Sequence, residues 1–400
     1  ETKGVKIKEE EEEEREVEEE IWSWGAGTEG QLGTGKLQDE HKPQLLHSIS
    51  SSSFAPVSHL SCGGAHVIAL TPGGRVLTWG RGTSGQLGHG EMVNCLHPKS
   101  LVSLEGIFIK HASAGWNHSG FVSDTGYVFT CGDGSFGQLG HGDYILRCSP
   151  VQVLHFKTRH VEQIACGMRH SLVLLKGDTE DVIYGFGSGK RGQLGISDDK
   201  QKSVSTPRVT LGFENVKIRI ITANGDHSAA VSVNGHLYVW GRSFHGAPDV
   251  YRPLRVTADL YFSQVALGWN HALVLTGDGE VYMLGRYNYN APSGGQKANS
   301  MNHISDEGVM QRVLDLDSTK VVQIGAGAEH SAVVTADNGS VMTWGWGEHG
   351  QLGLGDTNDQ TGPQVVSLCS QKSMKPCVSR VYCGSGFTFV VRTCTVNSSF

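Results

Sequence analysis

A Trp-Gly pair, or a close equivalent, returns seven times along this chain of 400 residues: Trp24-Gly25, Trp79-Gly80, Cys131-Gly132, Phe186-Gly187, Trp240-Gly241, Leu284-Gly285 and Trp344-Gly345. The intervals are 55, 52, 55, 54, 44 and 60 residues. Self-similarity at such a period marks a repeat architecture, in which each unit buries its apolar face only against its neighbours. Two further marks keep the same register. Gln-Leu-Gly stands at 31–33, 86–88, 138–140, 193–195 and 351–353. A proline follows its glycine by ten residues at Pro43, Pro98, Pro150 and Pro363, and by twelve at Pro207. Gly-x-x-His recurs at Gly63/His66, Gly115/His118, Gly167/His170, Gly268/His271 and Gly327/His330, and His227 takes the same place in Asn224-Gly225-Asp226-His227.

This register explains a composition with 54 glycines. A stretch such as Trp79–Gly90, WGRGTSGQLGHG, looks faintly like a phosphate-cradling loop, but such a loop does not occur once per unit. The glycines read as turn residues. Gly25 to Gly30 also fits G-x-G-x-x-G, yet it leads into Gln-Leu-Gly and a turn where a nucleotide fingerprint needs a helix. Between each His and the next Trp-Gly lie two runs rich in Val, Leu, Ile and aromatics, with no helical period. Asn234-Gly235, Asn338-Gly339, Asp278-Gly279 and Gly73-Gly74 separate these runs and predict hairpins, read as turns with positive φ at both central residues.

Four short strands per unit is the make-up of a propeller blade. The ends are complementary. The chain opens on half a unit, Ile21 to Gly25, and finishes on the other half, Val381 to Val391. Joined, they complete a seventh blade and leave no open sheet edge between first and last blades. The predicted fold is all-β: a seven-bladed propeller of four-stranded antiparallel blades, with the N- and C-terminal strands sharing one blade. The expected boundaries are an acidic, disordered arm at 1–20, the propeller at 21–394 and a short tail at 395–400.

The pattern resembles the repeats of the regulator of chromosome condensation family, over residues 21 to 393. The resemblance implies a seven-bladed propeller and leaves function open, because one scaffold hosts many roles. In exchange-factor members an acidic residue just before such a His contributes to nucleotide release from a small GTPase. Here Asp226 has that form and Glu329 is its close analogue; the plainer reading of both is surface charge. In the plant UV-B photoreceptor, another member, clustered tryptophans on neighbouring blades sense light. Gly-Trp-Asn-His occurs twice here, at Trp116 and Trp269, but the register sets them three blades apart, and Asn117 and Asn270 replace the arginines. A sensor of that design is disfavoured for want of a tryptophan cluster.

Two units break the pattern. The fifth lacks Gln-Leu-Gly and has a shorter loop, Arg242 to Val250. The sixth also lacks it and carries a polar insert, Tyr287 to Gly308, with Tyr287, Asn288, Tyr289, Asn290, Lys297 and His303. Loops that depart from a scaffold are where specific function is often placed. These residues, with Asp226, Glu329, Trp116 and Trp269, form the predicted partner-binding set.

The formal net charge of −7 sits in residues 1–20, where eleven Glu face four basic residues; the rest is balanced at 29 of each sign. A neutral body lacks the clustered positive charge of a duplex-DNA footprint. The Glu run reads as a solvated arm, or as one that meets a basic partner such as histone. No apolar run reaches bilayer length. The nine cysteines, without a CxxC, read as reduced thiols of an intracellular protein rather than a disulfide framework or zinc site. The six register histidines read as scaffold groups bonded to neighbouring turns. No nucleophile elbow, P-loop lysine or HExxH is present, so no enzyme chemistry and no cofactor or metal are called for. The expected protein is a nuclear or cytoplasmic interaction scaffold, monomeric, with histone or chromatin proteins as partners. Guanine-nucleotide exchange on a small GTPase is the alternative.

Overall fold

The computed structural model describes residues 16–47, 56–197, 199, 202–244, 248–285, 303–305, 308–368 and 377–396. They form seven antiparallel sheets, each taken below as a blade numbered by the Trp-Gly pair it contains. Blade 2 shows the pattern: His59–Cys62, His66–Leu70, Val76–Gly80 and Cys95–Ser100 pair in chain order. Blades 3, 4, 5, 6 and 7 follow at 109–152, 161–209, 218–255, 262–312 and 321–365. The first strand of each blade is innermost, and these strands line a central channel. Second strands are the core: His66–Leu70, His118–Ser123, His227–Ser232, His271–Thr276 and His330–Thr335 are buried throughout.

Blade 1 closes the ring. Its order is Glu40–Leu45, Glu16–Gly25, Phe387–Val396 and Cys377–Cys383. The ladder between the two chain ends runs unbroken from Glu16↔Val396 to Gly25↔Phe387. This moves the expected propeller boundaries: pairing starts at Glu16, not Ile21, and ends at Val396, not residue 394. The acidic residues enter the sheet because their charge is answered. Glu19 accepts the Val57 amide at 2.8 Å and lies 3.8 Å from the Arg380 guanidinium, and Glu20 lies 4.0 Å from that of Arg392. Residues 1–15 lie outside the described set.

The Trp-Gly glycine is a bulge. Gly80 has φ +97°, and a Cβ there would sit 2.5 Å from the Ala65 carbonyl oxygen. The third-to-fourth strand register shifts at the same point, between Thr78 and Gly80. The hairpin turns differ from expectation. In blade 5 the Ser232 amide donates to His236 O and the Gly235 amide to Ser232 O, with Gly235 at φ +74°. Asn234 is not among the residues with positive φ. The loop is therefore the three-residue kind, a type I turn closed by one left-handed glycine. Blades 2, 3 and 6 repeat it at Thr71–Arg75, Ser123–Tyr127 and Thr276–Glu280. The hydroxyl at each first position also accepts the amide four residues on, as from Arg75 to Thr71. That bond favours the longer loop over the two-residue turn.

Blade 6 has five strands instead of four, because His303–Ser305 folds back on Gly308–Arg312. Cys377 and Cys394 are joined in a disulfide across the two C-terminal strands of blade 1, with Cα atoms 4.3 Å apart. The all-reduced expectation is corrected at this pair: sequence spacing gave no sign of it, and strand pairing creates it. The other described cysteines are free thiols; Cys369 lies outside the described residues. The bond closes a 17-residue separation. By the chain-entropy model its reduction is expected to cost about 3 kcal/mol, read as a lower melting temperature in dithiothreitol that the Cys377→Ser/Cys394→Ser variant no longer shows.

Candidate functional site

The histidine marks are the bolts between blades. The Nε2 atoms of His66, His118 and His170 each pair with a hydroxyl of the next blade: Ser119 at 2.8 Å, Ser171 at 2.8 Å and Ser228 at 2.9 Å. Each serine in turn donates to the carbonyl of a Gln-Leu-Gly glutamine, at Gln86, Gln138 and Gln193. His271 pairs with Ser331 at 3.0 Å and His330 with Thr388 at 2.9 Å. The partner is thus a strand hydroxyl one blade on, rather than a turn. Burial pushes these imidazoles down to about 3 for His66, His170 and His330 and about 4 for His118 and His271, so all five are neutral in the fold.

The exceptions are paired by chemistry. At the junction from blade 1 to blade 2 the histidine position is Phe387 and the hydroxyl position Val67, both fully buried in one apolar cluster. From blade 5 to blade 6 the hydroxyl position is Ala272. His227 turns to the Trp269 carbonyl through Nε2 and to the Arg242 carbonyl through Nδ1, both at 2.6 Å, and stacks on Phe244 at 4.4 Å.

The Gly-x-x-His turns and the residues after Trp-Gly share one face of the ring; the amides of Arg81, Asp133, Arg242 and Trp346 bond the carbonyls of Ala65, Asn117, Asp226 and Glu329. At the centre of this face Trp116 and Trp269 meet, with ring centroids 5.2 Å apart and planes at 41°. Their expected separation is corrected. Blades three apart in chain order face each other across the narrow channel, so sequence distance around the ring is not distance through its axis. Glycines make room: a Cβ on Gly64 would come within 2.9 Å of the Trp116 indole, and one on Gly225 within 3.3 Å of Trp269 Cδ1. Behind the pair lies a cavity of about 310 Å³ lined by the innermost strands.

Asp226 and Glu329 have different surroundings. Asp226 accepts a hydrogen bond from Gln193 Nε2 at 3.0 Å, so a Gln-Leu-Gly glutamine of blade 4 ties it back. Blades 5 and 6 supply no such glutamine. There the residue after Trp240-Gly241 and those before two histidines link sideways: Arg242 donates to Asn270 Oδ1 at 3.2 Å, and Asn270 donates to Glu329 Oε1 at 3.1 Å. Sequence reasoning missed this row and the Phe244 stack. Aligning the positions before each His and after each Trp-Gly, blade against blade, exposes the signal. Tyr287, Tyr289 and Lys297 lie outside the described residues; His303 is described only as a strand residue opposite Met310.

Residues 20–390 match the RCC1-like domain family. This chain belongs to that family. Its relatives include the ultraviolet-B receptor UVR8 of Arabidopsis thaliana, 31% identical over 88% of this chain and 78% of the receptor. The secretion-regulating guanine nucleotide exchange factor of Mus musculus is 29% identical over 93% of this chain and 83% of that protein. Among solved structures, Prp20p of Saccharomyces cerevisiae, described with its binding to Gsp1p and histones, superposes with a TM-score of 0.79 at 22% identity over 95% of this chain and 92% of its own. At that identity the likeness is one of fold. RCC1-like propellers include regulators and exchange factors, so family membership places this chain with regulatory propellers. Among the described residues no helix is long and apolar enough to cross a membrane.

Proposed function

We propose that the chain is a non-catalytic docking scaffold whose working surface is the Gly-x-x-His face over blades 5 to 7. The row Arg242–Asn270–Glu329 beside the paired indoles carries this reading. In blade 4 the Gln-Leu-Gly loop reaches across to hold the neighbouring acid; where that loop is missing, a guanidinium, an amide and a carboxylate are left at the surface next to tryptophan. Tryptophan and arginine are the residues that most often carry binding energy at protein interfaces. The partner class is a basic nuclear protein of the histone type, which the Glu-rich residues 9–14 complement and which a structural neighbour, Prp20p, binds. The expected result is that Trp269→Ala combined with Glu329→Ala weakens binding to core histones at least tenfold, or about 1.4 kcal/mol, with an unchanged melting temperature. Equal affinity for both proteins would remove the face from the reading.

Nucleotide exchange is the second reading, favoured by the mouse relative and by Glu329, the acidic residue here that no Gln-Leu-Gly glutamine ties back. Its measure is release of labelled GDP from a panel of small GTPases. Acceleration that disappears in Glu329→Ala replaces the scaffold reading. The Trp116–Trp269 contact also meets the distance condition for coupled indoles, which a UV-B-dependent change of oligomeric state would connect to function.

A further inference from the structure

Each Gln-Leu-Gly loop seats one leucine in its own blade. Leu32, Leu87, Leu139, Leu194 and Leu352 are only 1–2% exposed. In blades 1, 2, 3 and 7 the hydroxyl just before the Trp-Gly pair, or its equivalent, donates to that leucine's carbonyl: Ser23 to Leu32, Thr78 to Leu87 and Thr130 to Leu139 at 2.8 Å, and Thr343 to Leu352 at 2.7 Å. Thr210 does the same for Leu194 in blade 4, at 2.8 Å. The leucine side chain lies against the start of its loop. A Cβ on Gly82 would come within 3.0 Å of Leu87 Cδ1, and one on Gly27 within 2.9 Å of Leu32 Cδ1. Blade 5 has no Gln-Leu-Gly, and Val239 stands where the hydroxyl would be. Here the residues equivalent to Thr78 and Gly82, namely Val239 and Ser243, line a cavity of about 110 Å³ together with Trp240, Phe244, Val250 and Leu254. Polar groups in its wall are already engaged. Ser228 Oγ and Trp240 Nε1 both donate to Gln193 O, and the two ring nitrogens of His227 face the carbonyls of Trp269 and Arg242. What the wall leaves for a guest is apolar contact.

We propose that this cavity is a socket for a leucine side chain of a partner's peptide segment, which supplies in trans what the other blades receive from their own loops. The socket rests on the docking reading above, whose face includes blade 5, and adds the anchor to it. Size selects the guest. Apolar cavities of about 150 Å³ accept benzene, so a volume of about 110 Å³ suits the four-carbon branch of leucine better than an aromatic ring. Polarity selects it as well. Without a hydroxyl at position 239 the carbonyl contact that the other leucines make is not offered, and a peptide group drawn inside would lose its hydrogen bonds to water. The side chain therefore enters and the partner's main chain stays at the mouth. Arg242 lines the socket and belongs to the row with Asn270 and Glu329. An apolar pocket ringed by polar groups is where binding energy concentrates at an interface.

The test uses the full chain with its Leu and Val methyl groups labelled for NMR, and N-acetyl-leucine N-methylamide as the probe. The expected result is saturable shifts of the Val239, Val250 and Leu254 methyl signals, with a dissociation constant on the order of 1 mM. The glycine analogue of the probe produces no shifts, and the phenylalanine analogue binds more weakly. Ser243→Leu fills the cavity from a half-buried loop position and abolishes the shifts at an unchanged melting temperature. Leu254→Trp, at a position 38% exposed, repeats the loss. Ser243→Leu also weakens binding to core histones about tenfold. Shifts confined to other methyl groups, a preference for the phenylalanine probe, or a Ser243→Leu protein that binds the leucine probe as well as the wild type overturns the socket. Undiminished histone binding by Ser243→Leu overturns its role as the docking anchor and leaves the docking face standing. Histones that bind neither protein remove the docking reading, and the methyl shifts then decide the socket by themselves.

Discussion

Lowering the pH from 6.5 to about 5 is expected to unfold the propeller in a steep transition. His66, His118, His170, His271 and His330 are held neutral by burial, at about 3 to 4 against 6.5 for the ordinary side chain. Above pH 6.5 neither folded nor unfolded chain protonates them, and their contribution to stability is complete. Below pH 6.5 the unfolded chain takes up protons that the folded chain refuses, so stability falls as pH falls, until the folded values near 4 and 3 are reached. Each group loses about 1.4 kcal/mol per pH unit in that window. Five groups acting together remove about 10 kcal/mol by pH 5, comparable with the whole stability of an ordinary domain. His59 and His111, held at about 4 by burial, steepen the slope. The measurement is an acid titration followed by tryptophan fluorescence, with proton uptake read from the dependence of midpoint on pH in urea. Uptake near one proton would contradict the account; uptake of four or more is expected.

Replacing Trp24 by Ala should be the most damaging single change. Trp24 is fully buried in the cluster that joins blades 7 and 1, and its indole N–H donates to Gln351 O at 2.9 Å, across nearly the whole length of the chain. Loss of the ring costs about 3–5 kcal/mol by transfer and cavity terms. Because the site lies on the closing junction, the change also loosens the ladder between the chain ends. Trp24→Phe separates packing from hydrogen bonding. Gln351 O keeps the Thr388 hydroxyl at 3.0 Å, so it is not orphaned, and the expected cost is about 1 kcal/mol. Urea denaturation of the two variants checks both figures. A Trp24→Phe variant as unstable as Trp24→Ala would mean that the hydrogen bond, rather than packing, holds the junction.

Much of this was legible before any coordinates. Three marks in register gave blade count, the four-stranded blade and circular closure, since each reports a local requirement: a bulge glycine, a glutamine whose Oε1 accepts the amide two residues back, a junction histidine. The hairpin class was less so. Asn-Gly is compatible with two loop lengths, and the serine or threonine just before the loop chose the longer one by accepting an amide. The Cys377–Cys394 bond depended on strand pairing, which composition does not report.

By itself, then, the sequence determined the ring, because short-range steric and hydrogen-bonding needs recur at fixed spacing and repetition multiplies the signal. Only the tertiary structure decided what stands next to what across the axis. Trp116 against Trp269 and the row from Arg242 to Glu329 are both products of closure. Bending a linear array into a circle brings together residues that are remote along the chain, and no local pattern encodes that distance.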